Sequence, residues 1–234
     1  MTETSALRLH DKFSYRIEHV GDEKQPVLIV DNYMHNAEGL ISYCENNMSF
    51  AKADTFYPGT RMLGPKFYGG MMMHYLGEII FKTFDLKKEN IRGGNSLYSM
   101  VLTPPAELKV IQCLPHCDSV NTMDLACVHY LCDSRHGGTS LYRHKATGYE
   151  YVNEARKESY LDTLNKEIDE QGVPRAYMNG SNHLFDQIAS YDAAFNRLVM
   201  YRSTSLHSGN IGPDFSFEPH TRRGRLTLNT FIRC

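Results

Sequence analysis

The chain lacks several things, and each lack removes a class of protein. Its apolar segments, such as Val27–Val30 and Ile79–Phe81, fall far short of the ~20 residues that span a bilayer. No charge of one sign dominates: 25 Lys and Arg stand against 27 Asp and Glu, for a formal net charge of −2. That balance argues against a broad basic surface for nucleic acid and against an acidic tail. There is no repeat period and no low-complexity stretch, so solenoids and arrays are excluded. The opening MTETSALRLHDKF lacks the charged-then-apolar layout of a signal peptide, and a soluble cytoplasmic protein without membrane contact is expected. No linker stands out, so residues 1–234 are read as one domain.

What is present is ordinary for a globular chain: 41% hydrophobic and 22% charged residues over 234 positions, enough to bury a core without staples. The six cysteines, Cys44, Cys113, Cys117, Cys127, Cys132 and Cys234, are expected to be reduced thiols. Cys113-x3-Cys117 and Cys127-x4-Cys132 admit a four-thiolate zinc reading. Their setting in apolar, strand-like sequence favours plain buried cysteine instead.

Local patterning divides the chain into two textures. Over residues 1–90, PVLIVDN reads as a strand and NAEGLISYCENN as an amphipathic helix, with Leu40, Ile41 and Tyr43 at suitable spacing. FYPGTRMLGP reads as a Pro/Gly loop, and GGMMMHYLGEIIFKTFDL as a second helix whose methionines are core filler. Over residues 91–234 short β-segments follow one another: NSLYSMVL, ELKVIQCL, DLACVHYLC, GGTSLYRHK, NRLVMYRSTSL and GRLTLNTFIRC. A polar helix, NEARKESYLDTLNKEIDEQG, interrupts them. The class is α+β, with a β-sandwich or barrel core.

The chemistry concentrates in LPHCDSVN, which carries His116 and Asp118. In a strand, residues two apart point to one face, so this spacing sets an imidazole beside a carboxylate. With one distant histidine, such a pair makes the 2-His-1-carboxylate set of non-haem iron oxygenases. His207, ending the apolar run RLVMYRSTSL and well separated from Asp118, is a candidate for it. In RRGRLTLNTF, alternation puts Arg225, Thr227, Asn229 and Phe231 on one face and Leu226, Leu228 and Ile232 on the other. A polar face that begins with arginine suits a strand lining a polar cavity.

On these residues the chain resembles the Fe(II)/2-oxoglutarate-dependent dioxygenases, and within them the branch similar to prolyl hydroxylases. The matched positions are His116-x-Asp118, Tyr130-Leu131, Gly137-Gly138, His207 and Arg225-x-Thr227, with FYPGTR resembling the loop that precedes the core. The resemblance implies a double-stranded β-helix, a cupin-like jelly-roll core over residues 91–234 that holds the metal site. Residues 1–90 would be an α/β support region whose helices pack on one side. It implies iron ligation by His116, Asp118 and His207, and a grip on the distal carboxylate of 2-oxoglutarate by Arg225, aided by Thr227. Tyr130, and less directly Tyr98, would touch the cosubstrate. The long interval from His207 to Arg225 keeps Arg222 and Arg223 open as alternatives. The implied reaction consumes 2-oxoglutarate and dioxygen, releases succinate and carbon dioxide, and hydroxylates a C–H bond of a small molecule, amino acid or peptide side chain.

Other constellations carry less. His129, His136 and His144 fit no ligand spacing and are read as surface or supporting residues. Ser203, Ser205 and Ser208 near His207 lack the glycines of a nucleophile elbow. A cupin-like metal-binding barrel without 2-oxoglutarate turnover is the first alternative, and a degenerate barrel acting as an interaction module the second. Pocket loops are expected near Phe56–Phe67, Arg143–Tyr151 and Tyr177–His183, and a homodimer is the base-rate expectation for assembly.

Overall fold

The structure, a computed structural model of the chain, describes residues 8–53 and 57–234. In chain order the strands are β1 (Ser14–Val20), β2 (Gln25–Asp31), β3 (Ala51–Lys52), β4 (Gly59–Leu63), β5 (Gly93–Val101) and β6 (Leu125–Tyr130). They continue as β7 (Gly138–His144), β8 (Phe185–Asp192), β9 (Leu198–Arg202), β10 (His207–Asn210) and β11 (Leu226–Arg233). The helices are α1 (Ala37–Asn46), α2 (Tyr68–Phe84) and α3 (Glu154–Gln171). No helix among the described residues is long and apolar enough to cross a membrane.

The strands form two antiparallel sheets in a jelly-roll-like arrangement. The larger runs β1-β2-β9-β6-β11-β5-β4-β3 and the smaller β10-β7-β8. Every one of these pairings is antiparallel. The first ninety residues supply β1 to β4, half of the large sheet, and so are woven into it.

Alternation along the strands sorts side chains into layers. On β11, Leu226, Leu228 and Ile232 join Leu40 and Ile41 of α1 and Met72, Leu76 and Ile80 of α2 in one core. The opposite face of the large sheet, with Val27, Ile29, Val128, Tyr130 and Val199, meets Leu141 of β7 in a second. Beyond the small sheet, Tyr142 and Phe185 pack on Tyr160 and Leu164 of α3. The order of layers is therefore α1 and α2, large sheet, small sheet, α3.

The helix ends obey local rules. Asn36 caps α1 by accepting the Gly39 N–H at 3.0 Å, and Asn153 caps α3 by accepting that of Arg156 at 3.1 Å. Gly172 stops α3 with φ +71° and returns its N–H to Ile168.

Two local expectations are corrected. ELKVIQCL is not a strand but two 3₁₀ turns, Pro105–Glu107 and Val110–Cys113. Its Leu108, Cys113 and Leu114 are buried while Val110 and Ile111 face solvent, a spacing that does not alternate. Within FYPGTRMLGP the structure has β4, because pairing with β5 overrides the turn-forming composition. Gly59 is needed there, since a Cβ would lie 1.9 Å from the Met100 carbonyl oxygen. The edge strands β1 and β8 also escaped sequence reading. The exposed side chains of β1 give little hydrophobic alternation, as expected for an edge.

Candidate metal centre

His116 and His207 face each other as an antiparallel pair, each donating its N–H to the other's carbonyl at 2.9 Å. The Asp118 N–H then bonds to the Ser203 carbonyl at 2.8 Å. His116-x-Asp118 is thus one bridge and a bend rather than the regular strand expected. The donor atoms of His116, Asp118 and His207 all lie within 4.8 Å of one another, and among the described residues no other His, Cys, Asp or Glu group does this. His116 Nε2 is 3.7 Å from one Asp118 oxygen and His207 Nε2 is 3.4 Å from the other.

The ring geometry and the His116 environment suit a cation. His207 donates Nδ1–H to the Ser205 carbonyl at 2.9 Å, which leaves the lone pair on Nε2. Desolvation, followed by the neighbouring His207, pushes the His116 pKa down to about 4 against the pull of Asp118. The His116 imidazole is then a neutral donor at pH 7, facing the Nε2 of His207 and the Asp118 carboxyl group. Three such ligands on one side of an ion match the donor preference of Fe(II) and leave positions open for further ligands.

The same cavity is lined by Arg225, Tyr57, Arg61, Thr139, Asn229 and Phe231. Arg225 is 4% exposed and donates to the carbonyls of His136 at 3.1 Å and Gly138 at 2.9 Å. No carboxylate among the described residues lies within ion-pair distance of it. Its contact with β7 depends on the Gly137-Gly138 step. Gly137 has φ +77°, a Cβ there would lie 1.9 Å from the Asn210 carbonyl, and one on Gly138 would lie 2.0 Å from that of Tyr191. The Tyr130 ring lies 5.7 Å from the Arg225 guanidinium, and its hydroxyl pairs with Thr139 at 2.6 Å. Burial raises the Tyr130 pKa to about 12, with Arg225 opposing.

The other expected contacts divide. Thr227 is fully buried on the face of Arg225 but outside the cavity wall; its hydroxyl lies 3.5 Å from the Ser99 carbonyl. Tyr98 is corrected outright: it pairs in register with Leu228, so it points to the helices and donates to the Leu40 carbonyl at 2.7 Å. Arg222 pairs with Glu38 and Glu45 of α1, and Arg223 with Glu218; neither lines the cavity.

Of the expected loops, Phe56 lies outside the described residues, while Tyr57, Arg61 and Tyr177 reach the cavity. The Arg143–Tyr151 segment does not, and Arg143 instead pairs with Glu150 and Asp22. His129 and His144 are buried structural residues rather than surface ones, each bonded through both ring nitrogens. All six cysteines are free thiols. Sequence reading missed Arg61 as an inward residue. Its signal was the two-residue spacing along GTRML, invisible while that segment was read as a loop.

A family model described as a family of unknown function, DUF6445, matches residues 11–232. The chain belongs to DUF6445. No curated protein matches it in sequence. Among solved structures, this DUF6445 chain is similar to SnoK, a non-haem α-ketoglutarate-dependent carbocyclase from nogalamycin biosynthesis. That likeness covers 100% of this chain and 84% of SnoK, with TM-score 0.51 and 10% identity. HygX from Streptomyces hygroscopicus, with nickel and 2-oxoglutarate bound, matches 88% of this chain over 82% of its own, with TM-score 0.46 and 9% identity. A Pseudomonas putida prolyl-4-hydroxylase matches 84% of this chain over 83% of its own, with TM-score 0.40 and 11% identity. At 10% identity, what the DUF6445 chain shares with SnoK is its fold.

Proposed function

We propose that the protein is a non-haem Fe(II)- and 2-oxoglutarate-dependent oxygenase that hydroxylates a C–H bond of a small molecule, amino acid or peptide side chain. One observation carries the reading: a His-Asp-His donor group and a buried guanidinium that has no carboxylate partner among the described residues line a single cavity. The order β5-β11-β6-β9 opposite the His116 bridge, β10, β7 and β8 supports a double-stranded β-helix within one oxygenase domain.

His116, Asp118 and His207 would hold the ion through two imidazole nitrogens and one carboxyl oxygen. Arg225 would take the distal carboxylate of 2-oxoglutarate, since a guanidinium already braced by two carbonyls keeps donors for a bidentate anion. Tyr130 stays protonated at neutral pH and, tied to Thr139, holds the wall beside that carboxylate. Iron and the keto acid, when bound, supply the oxidising chemistry, with succinate and carbon dioxide as coproducts. The protein residues orient and shield it.

The test is an anaerobic titration with Fe(II) and then 2-oxoglutarate, followed by the visible metal-to-ligand charge-transfer band. A saturable band, absent in His207→Ala and needing at least about tenfold more 2-oxoglutarate in Arg225→Gln, is expected. Iron binding without the band would instead favour a cupin-like barrel.

A further inference from the structure

We propose that Arg61 binds a carboxylate on the substrate that is oxidised, so that the enzyme acts on organic acids. The inference rests on the oxygenase reading and extends it to the substrate class.

Arg61 projects from β4 into the cavity that holds His116, Asp118 and His207. Its Nε is buried and has no hydrogen-bond partner among the described residues. No carboxylate among the described residues lies within ion-pair distance. A guanidinium in that position carries a desolvation cost that a protein ordinarily offsets with a paired anion. What touches it instead is aromatic: its Cζ lies 4.3 Å from the centre of the Tyr57 ring and 5.9 Å from that of Phe231. Rings hold a guanidinium by its face, which leaves the edge that carries the donors directed at a ligand.

The cosubstrate already has its own arginine. Arg225 immediately precedes β11, and Arg61 pairs in register with Ser99, which in turn faces Thr227; from there its guanidinium turns toward Phe231 rather than back to Arg225. Tyr57 stands between the two guanidinium groups, with its ring under Arg61 and its hydroxyl facing Arg225. A five-carbon diacid chelated at the metal and gripped by Arg225 leaves Arg61 to a second molecule. Asn229 adds a second orphan: its buried Oδ1 has no partner among the described residues, and it lies two residues from Phe231 on the cavity face. That oxygen suits an N–H or O–H of the same substrate, as in an amino, amido or hydroxy acid.

The experiment pairs N-acetyl-L-amino acids with their carboxamides and measures binding by calorimetry. It uses wild-type protein, Arg61→Gln and Arg61→Lys, each metal-free and loaded with Ni(II) and 2-oxoglutarate. At least one acid is expected to bind more than about tenfold tighter than its amide. The preference should vanish in Arg61→Gln and return in part in Arg61→Lys, while the Fe(II)/2-oxoglutarate band of Arg61→Gln matches wild type. Equal binding of acids and amides, or no binding by any acid, overturns the proposal. So does a loss of 2-oxoglutarate affinity in Arg61→Gln as large as that in Arg225→Gln, which would assign Arg61 to the cosubstrate. An acid preference in protein that forms no band would defeat the oxygenase reading and leave the Arg61 assignment standing.

Discussion

On the helical face of the large sheet, Tyr68 bonds to His129 at 2.8 Å, His129 to Asn196 at 3.1 Å, and Asn196 to the Met34 carbonyl at 2.8 Å. On the opposite face, the Arg61 Nε and the Asn229 Oδ1 have no such partner among the described residues. The two faces are built from the same strands, one residue out of step. On the first, His129 and Asn196 are closed on by their neighbours, as stability requires. On the second, donors and acceptors converge on a cavity and stay open. An unsatisfied buried polar group costs about 1–3 kcal/mol, and on the cavity face a ligand's polar groups can offset that cost.

The largest effect that would separate the faces is on the cavity side. Asp118→Ala should abolish the Fe(II)/2-oxoglutarate band and all metal-dependent turnover, while unfolding free energy stays within ~0.5 kcal/mol of wild type. Denaturant unfolding measured beside the titration checks both halves, and a large loss of stability would mean that Asp118 serves the fold.

The next effect belongs to the helical face and to acid. Burial pushes the His129 pKa from 6.5 down to about 4, with the Asn196 bond opposing. An unfolded chain takes up this proton below pH 6.5, whereas the folded one resists until about pH 4. Stability is therefore full above the unfolded value and falls as pH drops through that window, by up to ~3 kcal/mol at pH 4. Urea midpoints of metal-free protein at pH 7.5, 5.5 and 4 should show the slope. His129→Gln should flatten it, and an unchanged slope would move its origin to other groups such as His116, whose pKa is displaced in the same direction.

The smallest is the sharpest test of facing. Tyr98→Phe loses one hydrogen bond to Leu40, worth about 1 kcal/mol, and should leave 2-oxoglutarate affinity untouched. A weakened cosubstrate would place Tyr98 on the cavity side after all.

Much of the site was legible because strand alternation is local. The opposition of Arg225, Asn229 and Phe231 to Leu226, Leu228 and Ile232 follows from the two-residue period alone, and the cavity and core receive those residues accordingly. Tyr98 was misplaced for the complementary reason. Its face depends on register with Leu228 of β11, which nothing near Tyr98 specifies. Arg61 was illegible because Pro58, Gly59 and Gly64 signal a loop, and only the β5 edge turns that stretch into a strand.

The amino-acid sequence by itself determined the donor types, their order along the chain and the alternation along β11, because covalent spacing and backbone period act over a few residues. The tertiary structure alone decided that His207 meets His116 across an antiparallel bridge. It also decided that Arg225 turns inward while Arg222 and Arg223 pair at the surface, and that Arg61 enters the cavity. Each of these depends on which distant strand lies alongside. Strand partnership is settled by burying two sheets against each other, a free energy that no local segment contains.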